Sequence, residues 1–170
     1  MNKFFKIVFV AAALVASNNL VAQTLKFGHI NSSELIQAMP QTKQADSTLK
    51  AYGSSLDMQL KGMTAEYQGK LQSYQSKKDS MPDAIRVVKE KELEDLGNRI
   101  QDFQQTAQES IQKKKEEIYS PILKKAEAAI KDIAKEKGYS YIFDTSLGTV
   151  LYAQDSDNMM PIVKAKLGLK

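Results

Sequence analysis

From Gln41 onward, apolar and small residues recur at Ala45, Leu49, Tyr52, Leu56, Leu60, Met63, Tyr67, Leu71 and Tyr74. The steps alternate irregularly between three and four, and the set repeats every eleven residues, as in Ala45, Leu56 and Tyr67. A repeat of about 3.67 residues per turn predicts an amphipathic helix with little left-handed supercoiling. "SKKDSMPD" interrupts the pattern, with Pro82 as the turn signal. A second stripe then runs through Ile85, Val88, Leu93, Leu96, Ile100, Phe103, Ala107, Ile111, Ile118, Ile122, Ala126, Ala129 and Ile133, with Lys114 as a polar intruder. Neither stripe is stable in water, because each buried Leu or Ile contributes roughly 1.5–3 kcal/mol. Two such helices joined by a tight turn predict an antiparallel helical hairpin, an arm over 41–121.

The flanks read differently. Residues 25–30, "LKFGHI", predict a short strand. Asn31 with Glu34 three residues on resembles a capping box, opening a helical piece that Pro40 ends. With the turn near Met81, Gln41 and Pro121 fall at one level, about 60 Å from the tip. Beyond that level the second helix continues alone to Lys137, kinked on entry by Pro121, which removes a backbone hydrogen bond. Gly138 ends it. Residues 139–144 and 149–153 then read as a strand pair around Ser146-Leu147-Gly148. A last helix is expected near 158–168, capped by Asp157 or Asn158, with Pro161 in its first turn. The expected class is α+β: a long helical hairpin on a small β-rich body made of residues 23–40 and 122–170. Open sheet edges in so small a body invite oligomerisation.

Residues 1–22 are expected to lie outside this fold. Lys3 and Lys6 precede the apolar run "IVFVAAALVA", polar Ser17, Asn18 and Asn19 follow it, and Leu20-Val21-Ala22 comes before Gln23. That is the layout of a signal peptide cleaved after Ala22. The ten-residue run rises only about 15 Å in a helix, half the hydrocarbon thickness a membrane anchor needs. The chain has no Cys, so neither disulfides nor a lipid-modified Cys contribute. It carries 24 basic and 20 acidic residues. Without Lys3 and Lys6 the net charge is about +2, too little for nucleic-acid binding, which depends on dense positive charge.

Little in the sequence suggests catalysis. His29 is the only histidine and makes neither a triad nor a metal site. Asp144 reads as a turn former. Asp155 and Asp157 lack the rest of a calcium loop. There is no Gly-rich phosphate loop, and neither enzyme activity nor a cofactor is expected. The arm offers binding features instead. Met58, Met81, Val87 and Tyr119 lie off the stripes and are candidate contacts for a partner chain, Met being well suited to varied partners. Lys77, Lys78, Arg86, Lys89 and Lys91 give a basic tip; such runs are usually a solvated face, but they also attract acidic chains or an anionic membrane surface. Gly53, Gly62, Gly69 and Gly97 lie inside predicted helix, at about 1 kcal/mol each relative to Ala. They reflect either close helix approach or an arm made bendable.

The order of these pieces, with "LKFGHINSSELIQAMP" near the start and "AAIKDIAKEKGYSYIFDTSLGTVLYAQDSDN" near the end, resembles the Skp/OmpH family of periplasmic chaperones across essentially the whole chain after the leader. The resemblance implies a homotrimer whose strands join in a shared barrel, with three arms around a cavity. It implies an ATP-independent holdase for unfolded outer-membrane proteins in the periplasm. Family arms tend to be strongly basic, whereas this one is nearly balanced, which gives apolar contact more weight. A reading from another class is a structural coiled-coil spacer or adaptor of the cell envelope.

Overall fold

The computed structural model describes residues 25–169, and the leader lies outside them. In order, the elements are β1 (Phe27–Ile30), α1 (Ser32–Ala38), α2 (Pro40–Lys77), a 3-10 turn (Lys78–Ser80), α3 (Asp83–Lys137), β2 (Tyr141–Asp144), a second 3-10 turn (Asp155–Asp157) and α4 (Met160–Lys166). At 1.5 Å per residue α2 is about 57 Å long and α3 about 82 Å. They pack against each other as the two sides of the arm.

Local chemistry explains where the helices start and stop. The Asn31 side chain accepts from the Glu34 N–H at 3.0 Å and caps α1. Met39 is extended (φ −75°, ψ 128°), as the residue before a proline prefers, and Pro40 opens α2 at its first position. Gly138 ends α3 with φ 70°. There the Tyr139 N–H reaches back to Ala134 O at 2.9 Å and satisfies a terminal carbonyl. Asn158 accepts from the Met160 N–H at 2.9 Å at the start of α4.

β1 and β2 pair in parallel, Phe27 opposite Tyr141 and Ile30 opposite Asp144. A parallel pair needs a long crossover, and here the crossover is the whole arm. One sheet face, with Ile30 and Ile142, packs inward. Gly28 shares that face because space is lacking: a Cβ there would lie 2.8 Å from Met159 Sδ and 2.9 Å from Tyr139 Cε1. The core joins Ile30, Leu35, Met39, Ile122, Ala126, Ala129, Ile133, Met159, Met160 and Val163. The end of α3 beyond Pro121 therefore packs on the strands, α1 and α4, as the solitary stretch of the second stripe required.

Two expectations are corrected. Residues 149–153 form no strand, and there is no antiparallel hairpin after Gly138. The turn itself forms, with the Gly148 N–H on Thr145 O at 3.3 Å. The chain then crosses to the far edge of β1, where Asn158 bridges His29 and the Met159 N–H donates to His29 O at 2.9 Å. Val150, Leu151 and Tyr152 suit a strand, but propensity supplies no partner edge. Second, Ile85 and Val88 carry the stripe in sequence yet are 48% and 53% exposed. The α2 stripe ends at Tyr74, so only Gln75, Ser76 and Lys77 remain at the end of α2 to face them. In the arm, α3 becomes buried at Leu93 and Leu96.

Candidate functional site: arm surface and sheet face

The site residues read from sequence fall into three groups. Met58 and Val87 are exposed on the arm. Met81 is half-buried at the tip, in a small cleft of about 90 Å³ with Tyr74, Lys89 and Leu93. Tyr119 does something else: its hydroxyl donates to the Asp46 carboxylate and ties α3 to α2. This bond holds the Tyr119 pKa above its ordinary value. Ile85 and Val88 join Val87 as apolar side chains in water at the tip. Sequence reasoning placed them in the stripe; the early end of the α2 stripe was the signal available.

The basic tip is largely internally paired. Arg86 meets Asp83 at 2.7 Å, Lys89 meets Glu92 at 2.9 Å, and Lys91 meets Asp95 at 3.0 Å. Such exposed pairs are weak and salt-screened. Lys77 and Lys78 make no ion pair among the described residues. Near the tip the Tyr74 hydroxyl donates to Glu90 at 2.5 Å and ties the two arm helices together.

The four arm glycines are not there for close packing. A Cβ at Gly53, Gly62 or Gly69 would meet nothing within 4 Å, and at Gly97 it would meet Tyr67 Cε2 at an ordinary 3.7 Å.

The outer face of the sheet gathers exposed aromatic side chains. Phe27 stacks on Tyr141 and Phe143 at ring separations of 5.8 and 6.1 Å, and all three rings are exposed. Leu151 and Tyr152 beside it are 97% and 82% exposed. Contiguous exposure of this kind marks an interaction surface.

Polar groups in the body serve structure. His29 Nε2 lies 3.0 Å from Gln154 O. Asp144 accepts from the Ser32 N–H at 3.1 Å, the Ser32 hydroxyl at 2.5 Å and the Ser146 N–H at 2.9 Å. Burial opposes ionisation of Asp144, but these hydrogen bonds outweigh it and hold its pKa at about 2. Asp144 is thus the turn former its sequence suggested, and it also ties β2 to the start of α1. Among the described residues no group of three or more His, Asp and Glu could hold a metal ion, and no helix is long and apolar enough to cross a membrane.

Known proteins share this architecture. The chain is 25% identical over 163 residues to Chaperone protein Skp of Yersinia enterocolitica, covering 94% of each chain. It is 23% identical over 133 residues to Chaperone protein Skp of Pectobacterium atrosepticum, covering 78% of this chain and 81% of that one. Its fold matches that of an OmpH-like chain from Caulobacter crescentus CB15 with a TM-score of 0.74 at 16% identity, over 84% of this chain and 83% of that one. Residues 26–167 match the sequence model of the outer membrane proteins described as OmpH-like, and the chain belongs to that family.

Proposed function

We propose that this protein is an ATP-independent holdase of the periplasm that binds unfolded outer-membrane proteins and keeps them from aggregating. The observation that carries the reading is an arm standing off a compact body with Ile85, Val87 and Val88 left in water at its tip and Met58 along its side. Kinship to proteins named Chaperone protein Skp supports it. Scattered, weakly binding apolar side chains suit a client without fixed shape, since no single pocket has to be filled. Lys77 and Lys78 add attraction for acidic segments or an anionic membrane surface. Release needs no nucleotide, because the client gains more by folding in its membrane.

The working form is a homo-oligomer, a trimer by family resemblance. Support comes from the aromatic sheet face and from Leu151 and Tyr152, whose burial against neighbouring copies would contribute roughly 1.5–3 kcal/mol for each large apolar side chain. Sedimentation equilibrium checks this: Leu151→Ser with Tyr152→Ser should shift the protein toward monomer. An unchanged mass would remove that surface from the interface.

The functional test dilutes a denatured outer-membrane β-barrel protein into buffer with and without this protein and follows light scattering. A holdase suppresses scattering without ATP. A spacer or adaptor leaves it unchanged, and that outcome would overturn the proposal.

A further inference from the structure

The junction between arm and body has the parts of a mechanical joint. Pro40 begins α2 after the extended Met39. Pro121 lies inside α3 and leaves one helix hydrogen bond unmade. The two breaks lie within about one turn of each other, beside a cavity of about 370 Å³ lined by Gln41, Ala45, Thr48, Ile118, Pro121 and Ile122. Below it, Ile122 and Ala126 are buried in the body core, and the Thr42 hydroxyl donates to Ile36 O at 2.5 Å. Each arm helix is thus anchored to the body at its own proline, with room between them. At the level of this cavity, between Ala45 and Thr48 on α2 and between Ile118 and Pro121 on α3, the Tyr119 hydroxyl donates to Asp46 and bridges the two helices.

We propose that the Asp46–Tyr119 bridge is a latch that sets the rest angle of the arm on the body and limits its swing in the plane of the hairpin. Two rods pivoting at separate points must slide past each other when they tilt together. At an interaxial distance of about 9 Å, a tilt of about 20° requires a slide of about 3 Å. A hydrogen bond is lost over much less than that. The bridge therefore opposes in-plane tilt and leaves out-of-plane tilt unopposed. Tyr119 and Asp46 act here as positioning residues. The latch is a property of the arm and stands whatever the arm binds.

The chain has no Cys, so two labels can be placed without background. Spin labels go on Gln101→Cys in the arm and Ser156→Cys in the body, both exposed positions. Labelled chain is diluted into unlabelled chain so that each assembly carries one pair. Gln101 stands about 30 Å above the joint, so a 20° tilt moves its label by about 10 Å. The expected result is a narrow distance distribution for the parent. With Tyr119→Phe it should spread toward displacements of about that size, at unchanged helical content. Asp46→Ala should do the same, and Lys91→Ala, which cuts an ion pair within α3 and no tie between the helices, should leave this distribution unchanged. A distribution that both joint variants leave as narrow as the parent overturns the latch, as does equal broadening by Lys91→Ala.

Discussion

Replacing Asp144 by Asn tests whether one carboxylate ties β2 to the start of α1. Asp144 accepts from both the N–H and hydroxyl of Ser32 and from the Ser146 N–H. Its pKa falls from the ordinary 3.8 to about 2; burial pushes it up, but the hydrogen bonds prevail. At full effect that gap corresponds to about 2.4 kcal/mol. The carboxylate is partly open to solvent, and screening reduces the contribution to about 1–2 kcal/mol. A carboxylate whose folded pKa is lowered stabilises fully above its unfolded pKa, here 3.8. That stability is lost as pH falls toward the folded value of about 2. Asn keeps the shape but not the charge. Urea unfolding of the parent and Asp144→Asn, at one fixed protein concentration, should show a gap of about 1–2 kcal/mol at pH 7 that is mostly gone at pH 2. Other carboxylates titrate in both proteins and cancel in the difference. An equal gap at both pH values would refute the reasoning, because a purely steric effect of Asn does not titrate.

The inward face of β1 gives a second expectation: Gly28→Ala should destabilise by about 1–3 kcal/mol in the same urea assay, since its Cβ must displace Met159, which is fully buried. A neutral result would mean that Met159 and Tyr139 repack freely. The arm gives the opposite sign: Gly53, Gly62 and Gly69 changed to Ala meet no atom, so each should stabilise by about 1 kcal/mol, read as a rise in the unfolding midpoint. If the stiffened triple variant still protects large and small clients from aggregation equally well, the glycines do not serve client fit.

The sequence alone determined much of this protein, for a local reason. A helix writes its buried face into the spacing of its residues, so the eleven-residue repeat specified α2 and most of α3, and the hairpin followed from the single break near Pro82. Caps are equally local: Asn31, Pro40 and Gly138 act on backbone groups a few residues away, and each ends or begins an element where expected. Counting residues on two helices of equal rise brings Pro40 and Pro121 to within about one turn of each other, and the Asp46–Tyr119 contact sets the remaining offset.

What needed the tertiary structure is whatever depends on a distant partner. Val150, Leu151 and Tyr152 look like a strand, yet becoming one takes pairing with an edge, and here they pair with neither β1 nor β2. The parallel pairing of β1 with β2 joins segments more than a hundred residues apart, and no local pattern encodes that register. Ile85 and Val88 obey the stripe but are exposed, because burial requires an opposing apolar residue and α2 has run out of them. Tyr119 and Asp46 are each unremarkable on their own helix and meet only because the two helices pack in one register. Periodicity reports which face of an element avoids water; only the folded chain decides what covers that face, and what is left uncovered.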